Sequence, residues 1–451
     1  MKKNLDDEAE IKLFLSIYES SRYARPLKNR WLFHLAKNRQ WPLFLQHYET
    51  SKNTKLQCYY NRALYKTGNK EEALLAAKEL WSVGYSQPRV CDPLFKKLTK
   101  SKYYTDDLVW QRFEKALLNN KVSLAVYLKN QMDRSHHESA QLWLDLHRRP
   151  DRHIQTLLKL EKSPQTSSMF AHTIERLANK DIDSAIRIWD ANNQDYDIDE
   201  TRTNKLEKKL AFKLVFKRKD GAYERFSQLS FPDTSSREWR VRVALAEQNW
   251  VNVLAALEAL NQEEKRTEKW QYWLARALLE TGEVERSEQI FSELAQRRDF
   301  YGYMAADKMN SMYQLSDNPV QVNERDIVQL KNREQFLVAH ELKMLDRENE
   351  AKLQWWHALR ELDKRDIMTA AKLAQQWDWD EIAIFTIAKV KHWDDIEMRF
   401  PLSYAEKIQE NSELNNLNPA IVFGLVRRES AFNENARSPT GARGLMQIMP
   451  G

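Results

Sequence analysis

Apolar residues recur at three- and four-residue spacing along nearly the whole chain, in runs separated by short polar breaks. This periodicity predicts a succession of amphipathic helices. One internal repeat stands out. Arg62-Ala63-Leu64-Tyr65-Lys66-Thr67-Gly68-Asn69-Lys70-Glu71 aligns with Arg276-Ala277-Leu278-Leu279-Glu280-Thr281-Gly282-Glu283-Val284-Glu285. Each copy begins in a helix, turns at Thr-Gly and enters a second helix. Gly68 and Gly282 fall where a helix C-terminus takes a left-handed residue, and Ala63 and Ala277 let helices approach closely. A second theme, Leu-Ala followed by Trp, occurs at Leu35-Ala36…Trp41, Leu245-Ala246…Trp250 and Leu373-Ala374…Trp377, where the indole is placed to plug a seam between hairpins. Such units resemble degenerate tetratricopeptide hairpins. They cannot bury their apolar faces alone and must stack into a superhelix, a ring or horseshoe of helix hairpins.

Breaks in the pattern divide the chain into three. Residues 1–311 are the expected helical-repeat superhelical domain. Residues 312–399 are a connector, where periodicity is lost and Pro319 intervenes, followed by a small helical linker domain. Phe400-Pro401-Leu402 breaks the chain again, and residues 400–451 begin a third domain.

Composition agrees with an all-α protein. Gly (9) and Pro (12) are scarce in 451 residues, where average usage would give about 30 and 20. Four of the nine glycines, Gly424, Gly441, Gly444 and Gly451, lie at the C-terminal end, so that segment is built differently. With 42% hydrophobic and 30% charged residues the chain is globular. The net charge of +6 suits an anionic polymer but is too diffuse for nucleic acid. Lys208-Lys209 and Lys217-Arg218-Lys219 are expected to be solvated helix faces. No apolar window reaches the roughly 18 residues of a membrane span. Met1-Lys2-Lys3-Asn4-Leu5 is not followed by the apolar core of a signal peptide. The ten histidines show no metal-ligand spacing. Cys58 and Cys91 flank one predicted hairpin and its following turn; the residues alone leave open whether they are reduced, buried thiols or a disulfide, which would contribute roughly 3–4 kcal/mol.

The candidate chemistry lies in the last segment. Asn418-Pro419 is a helix start, with Asn as cap and Pro at the first helical position. The helix is expected to run to about Ser430. Val422, Val426 and Glu429 fall at i, i+4 and i+7, which puts Glu429 on an apolar stripe, where desolvation would raise its pKa toward what a general acid needs. An isolated glutamate there would ordinarily be a helix-end residue at the edge of a core. Its neighbours change that reading. Phe432-Asn433 ends the helix, Ser438-Pro439 starts a turn, Gly441 and Gly444 allow close backbone approach, and Leu445-Met446-Gln447-Ile448-Met449 places one amide among apolar residues. An amide and a thioether beside a buried acid suit an N-acetylated sugar.

Together, Glu429-Ser430, Phe432-Asn433, the Ser438-to-Gly441 turn and Gly444-Leu445-Met446-Gln447 resemble the first active-site motif of the lytic transglycosylase and goose-type lysozyme family. Pro450-Gly451, the long helical N-terminal region, Cys58-Tyr59-Tyr60, Lys78-Glu79-Leu80-Trp81, Ser86-Gln87-Pro88, Cys91-Asp92 and Arg399-Phe400-Pro401-Leu402 resemble its soluble branch. The resemblance implies a superhelix, a helical linker domain and the start of a lysozyme-like α domain. It implies a periplasmic lyase that cuts the N-acetylmuramic acid–N-acetylglucosamine bond of peptidoglycan and leaves a 1,6-anhydro product. It makes Glu429 the single acid/base and gives Ser438, Gln447 and Met449 contacts to the sugar. It pairs Cys58 with Cys91. The implied partners are peptidoglycan glycan strands, with no nucleic acid, peripheral association with the cell wall or membrane, a monomeric state, and neither cofactor nor metal.

Two departures stand beside the resemblance. The family continues past this motif with an aromatic-Asn-Gly segment and a catalytic tyrosine, and it carries a signal peptide; neither is in this sequence. The chain is therefore expected to be truncated at both ends and its activity incomplete. Two other readings compete: a non-catalytic helical-repeat scaffold that binds peptidoglycan or a protein, and a hydrolytic lysozyme that uses the same acid.

Overall fold

The computed structural model describes residues 5–450; the expectations for Met1-Lys2-Lys3-Asn4 and Gly451 lie outside the described residues. The chain is all-α. Among the described residues there is no β-strand, only two isolated bridges, Arg437 with Arg443 and Arg443 with Ile448. Packing divides it into two compact units, Met1–Glu19 with Tyr23–Tyr313, and Ser20–Arg22 with Gln314–Gly451.

The first unit is a series of helix hairpins in which each helix packs on its sequence neighbours. The repeat read from sequence is the pair Thr54–Lys66 and Lys70–Trp81, and again Glu268–Glu280 and Val284–Ala295. Both turns close alike. The Asn69 amide donates to Leu64 O (2.9 Å) and the Glu283 amide to Leu278 O (2.8 Å), the longer bond of a Schellman cap. Gly68 (φ +114°) and Gly282 (φ +90°) supply the left-handed residue. The Thr67 and Thr281 hydroxyls donate back to Ala63 O and Ala277 O. Ala63 and Ala277 are fully buried, as close helix approach requires. Trp41, Trp250 and Trp377 are half-buried against their cores rather than sealed within them. The sealed indoles are others: Trp31, Trp143, Trp189 and Trp355.

A disulfide joins Cys58 to Cys91, Cα to Cα 5.0 Å, with both residues wholly buried. It ties the Thr54–Lys66 helix to the start of Asp92–Leu98. Closing a loop of sequence separation 33 stabilises by about 3–4 kcal/mol in the chain-entropy view. The lysine runs are surface features, with Lys208 paired to Asp233, Lys209 to Glu175 and Lys219 to Asp183.

Residues 311–323, where the first unit ends and the main part of the second begins, form no helix. This connector is nevertheless anchored. Asp395, 1% exposed, accepts from the Val320 amide (2.8 Å) and the Met398 amide (2.9 Å), so one buried carboxylate satisfies a loop and caps the short helix Ile396–Arg399. A core follows around Phe336, Trp355, Trp379 and Ile387. Trp355 donates its indole N–H to Thr386 Oγ1 (3.0 Å), which satisfies both buried groups. A smaller cluster of Ile384, Ile408, Val426, Ala431 and Phe432 holds the last helices.

Candidate active site

The acid-bearing helix runs Pro419–Ser430. Its start is the one the sequence indicates: Asn418 Oδ1 accepts from the Ala420 amide (2.9 Å) and Pro419 takes the first position. Val426 (2% exposed) seats the helix on Ile384 and Ile408. A second tie is Arg427, whose Nε donates to Arg399 O (2.8 Å) and whose guanidinium lies 5.6 Å from the Phe400 ring. Burial, then the positive charges of Arg399 and Arg428, hold Arg427 below its ordinary pKa.

The helix stops through backbone geometry that the sequence does not announce. Ala431 (φ +48°) and Phe432 (φ +67°) are consecutive left-handed residues, and neither is glycine. Both are buried, and the Phe432 ring packs 6.4 Å from Phe423. A conformation that costs on the order of 1 kcal/mol or more per residue persists where packing over-determines it. Here it turns the chain sharply one residue after Ser430. Asn433 then locks the turn: its Nδ2 donates to Glu381 Oε2 (2.7 Å), and its Oδ1 accepts from the Asn435 amide (2.9 Å). Glu381 is itself held by Lys352 at 2.5 Å. Tyr404 donates to Glu434 Oε2 (3.3 Å), and burial, with Glu434 adding to it, pushes the phenol above its usual value.

Glu429 corrects one expectation. Helical phase does put it in line with Val422 and Val426, but Val426 is buried, Val422 half-buried and Glu429 exposed. A cavity of about 380 Å³ beside the helix is lined by Val422, Val426, Ile408, Leu445 and Met446, and Glu429 does not line it. The stripe is covered by the Ala405–Leu414 helix and by Ile384 only along its first two turns, so the expected desolvation of the carboxylate is not in place. The same uncovered side carries Ile421 (71% exposed) and Leu425 (42%).

The loop after the helix folds on itself. The Ser438 amide donates to Ala442 O (2.9 Å) and the Ala442 amide donates to Ser438 Oγ (2.9 Å), which closes the Ser-Pro-Thr-Gly turn over Gly441 (φ +102°). The Gly444 amide donates to Ala436 O (2.9 Å), and Arg443 and Ile448 exchange backbone bonds. Gln447, left-handed at φ +48°, spends its Nε2 on Gly444 O (2.8 Å) and Ala436 O (3.2 Å). Its Oε1 is the part of that amide left to act as an acceptor. Met449 is exposed. Ser438 and Gln447 thus share one folded loop, and among the described residues no hydrogen bond or ion pair links either to Glu429. Glu381, Tyr404 and Arg427 are the supporting residues that sequence reasoning missed. Only Arg427 had a nearby signal, since its acceptor lies in the Arg399-Phe400-Pro401-Leu402 stretch. No cluster of three or more His, Cys, Asp or Glu able to hold a metal occurs among the described residues. None of their helices is long and apolar enough to cross a membrane.

Residues 329–396 match the soluble lytic murein transglycosylase L domain, and residues 406–451 match the transglycosylase SLT domain. The soluble lytic murein transglycosylase of Escherichia coli (strain K12) is 28% identical over 438 residues, covering 95% of this chain and 67% of that protein. That of Salmonella typhimurium is 28% identical over 433 residues, with the same coverage. The chain therefore spans about two thirds of the length of these relatives. Among solved structures, an inactive glutamate-to-glutamine mutant of the lytic transglycosylase Slt from Pseudomonas aeruginosa aligns with a TM-score of 0.86 at 28% identity, over 98% of this chain and 73% of that one. The 70-kDa soluble lytic transglycosylase in complex with bulgecin A gives 0.80 at 27% identity, over 98% and 72%. The linker and acid-bearing segments match in order, and the likeness runs through the repeat region as well; the chain belongs to the soluble lytic murein transglycosylase family, lytic enzymes of peptidoglycan.

Proposed function

We propose that the site built on the Pro419–Ser430 helix cleaves the β-1,4 bond between N-acetylmuramic acid and N-acetylglucosamine, with Glu429 as its single acid/base. The observation that carries this is the placement of Glu429: a solvent-open carboxylate in the last turn of a helix held by Asn418, Arg427 and the buried Ala431–Phe432 turn. The related Pseudomonas aeruginosa enzyme made inactive by one glutamate-to-glutamine change supports a mechanism that hangs on one carboxyl group.

In this mechanism the Glu429 carboxylic acid gives its proton to the glycosidic oxygen as the C1–O bond breaks. The muramyl acetamido oxygen stabilises the positive charge at C1, which removes the need for a second carboxylate. The Glu429 carboxylate then takes the proton of the muramyl C6 hydroxyl while that oxygen bonds to C1. The 1,6-anhydro ring closes, no water is consumed, and the acid is regenerated. Sugar binding over Glu429 would supply the desolvation that a working general acid needs. Ser438, Gln447 and Met449 contact the sugar, with Gln447 Oε1 accepting from a sugar N–H or O–H. Every group the reaction uses comes from Glu429 or the substrate, so no cofactor enters. The periplasm is the compartment that offers both glycan strands and the oxidising conditions the Cys58–Cys91 disulfide favours. There the protein works as a monomer in peripheral contact with the wall.

A second reading is favoured by the exposure of Glu429, Ile421 and Leu425: the 451-residue chain binds murein without cutting it. Mass spectrometry of peptidoglycan incubated with the chain and with Glu429→Gln separates the cases. Anhydromuropeptides whose yield falls by about 10²–10⁴-fold in the variant support the transglycosylase. Reducing ends would replace it with a hydrolase. Murein pull-down without soluble product supports the scaffold.

A further inference from the structure

The Thr-Gly hairpin occurs twice, and its two copies differ in charge. In both, an arginine of the first helix lies over a tryptophan earlier in the chain: Arg62 over Trp41 at 5.6 Å, Arg276 over Trp250 at 5.8 Å. Four residues on, the later copy has Glu280, whose carboxylate lies 3.5 Å from the Arg276 guanidinium. The earlier copy has Lys66 at that position. A cavity of about 160 Å³ opens beside it, walled by Trp41, Arg62, Tyr65 and Lys66 on one side and by Pro93, Leu94 and Lys97 on the other. No carboxylate lines it, and among the described residues Arg62, Lys66 and Lys97 form no ion pair. Arg62 is half-buried and gives one N–H to Val90 O (3.2 Å). Burial and, less strongly, the charge of Arg39 pull it below its ordinary pKa, against an opposing influence from Tyr59. The half-buried guanidinium also lies 5.2 Å from the Tyr59 ring, so its faces are covered by aromatic rings, but with two further cations beside it and no carboxylate the counter-charge that would offset the rest of its desolvation is missing. The two walls are also pinned to each other. The Cys58–Cys91 disulfide joins the helix that carries Arg62 to the residue that caps the helix carrying Lys97, and the Arg62–Val90 bond lies beside it.

We propose that this cavity is a carboxylate site whose ligand is the C-terminal carboxylate of a peptide ending in a small residue, as peptidoglycan stem peptides do. The choice of stem peptide rests on the peptidoglycan reading above; the charge and geometry do not. The flat guanidinium of Arg62 matches a carboxylate in two-pronged fashion. Trp41, Tyr65, Pro93 and Leu94 offer apolar surface for a methyl-sized side chain, which a phosphate ion would leave unused. Lys66 and Lys97, both exposed, draw the anion in.

Isothermal titration of the 451-residue chain with N-acetyl-D-alanyl-D-alanine, its C-terminal amide, acetate and inorganic phosphate tests the site. The acid binds saturably, and the amide, acetate and phosphate bind at least about tenfold more weakly, since each lacks either the charge, the apolar part or the flat shape. The Lys66→Ala/Lys97→Ala double variant, altered only at exposed positions, keeps its melting temperature and loses about fivefold or more in affinity as long-range attraction falls. Arg62→Gln abolishes binding. Equal binding of acid and amide, phosphate or acetate binding as tightly as the dipeptide, a double variant that binds like the parent, or no heat at millimolar dipeptide overturns the proposal. Glu429→Gln binds the dipeptide unchanged, so failure here leaves the catalytic reading standing, and loss of the catalytic reading leaves a measured carboxylate site.

Discussion

The repeat hairpins and the acid-bearing helix carry the same kind of apolar stripe and treat it differently. Along Glu268–Glu280 the stripe residues Trp270, Ala277 and Leu278 are all at most 2% exposed. Along Pro419–Ser430 only Val426 reaches that level, while Ile421 and Leu425 are open. Periodicity says which residues share a face. Whether the face is buried depends on a neighbour, and each hairpin brings its own neighbour in sequence. The acid helix is packed on one flank alone. Under the proposed function, a glycan would lie along its open flank.

The largest effect should come from the covered region. Trp143 is wholly buried among Phe113, Trp110 and His172. Trp143→Ala should cost about 3–5 kcal/mol in denaturant unfolding, through lost transfer energy and the cavity left behind. A cost under about 1 kcal/mol would mean the repeat core relaxes as freely as a surface and would erase the contrast.

The next effect is acid sensitivity. His147 Nδ1 lies 3.0 Å from His172 Nε2, and His147 Nε2 lies 3.0 Å from Asn120 Oδ1. Asn120 Oδ1 can only accept, so His147 donates to it and accepts from His172. Burial, then Arg176 and Arg148, pulls His147 down to about 4; burial, then His147 and the cations Arg176, Arg202 and Lys209, pulls His172 down to about 3. Below the unfolded value near 6.5 the unfolded chain takes up protons that the folded pair refuses. The stability of the first unit is therefore full above about pH 6.5 and falls as pH drops, by on the order of 3 kcal/mol between pH 7 and pH 5. Urea titrations at those two pH values measure it above the range where carboxylates contribute. A flat response would show that the pair is already charged or solvated when folded.

Much of the fold was legible because local rules and packing agree in the repeats. Gly68, Gly282, Ala63 and Ala277 each do what the Thr-Gly pattern implies, and Asn418-Pro419 starts the acid helix as a capped Pro helix should. For the candidate site, the sequence names residues but not their environment. The exposure of Glu429 follows from what packs beyond the helix, which periodicity does not encode. Ala431 and Phe432 carry no glycine to announce their left-handed turn, and the Asn433–Glu381 bond spans 52 residues between separate elements.

Within the acid helix itself the contrast reduces to two positions. Val426→Ala removes two methyl groups from the Ile384–Ile408 cluster and should cost about 1.5–2 kcal/mol. Ile421→Ala, on the open flank, should change stability by less than about 0.5 kcal/mol. Paired denaturation curves decide between them, and equal costs would mean that the open flank is covered in solution.

The smallest expected effect is the most informative about the acid. With the carboxylate exposed and, among the described residues, without an ion-pair partner, Glu429→Gln exchanges one solvated group for another. It should shift unfolding by less than about 0.5 kcal/mol. A carboxylate held in an apolar site behaves otherwise: removing its charge relieves desolvation and stabilises, in the way that active-site substitutions often trade function for stability. A gain of 1 kcal/mol or more in Glu429→Gln would therefore return the acid to the buried stripe that its helical phase suggests. If the shift is near zero in the free chain and becomes stabilising only with murein fragments bound, the substrate itself completes the environment that the helix leaves open.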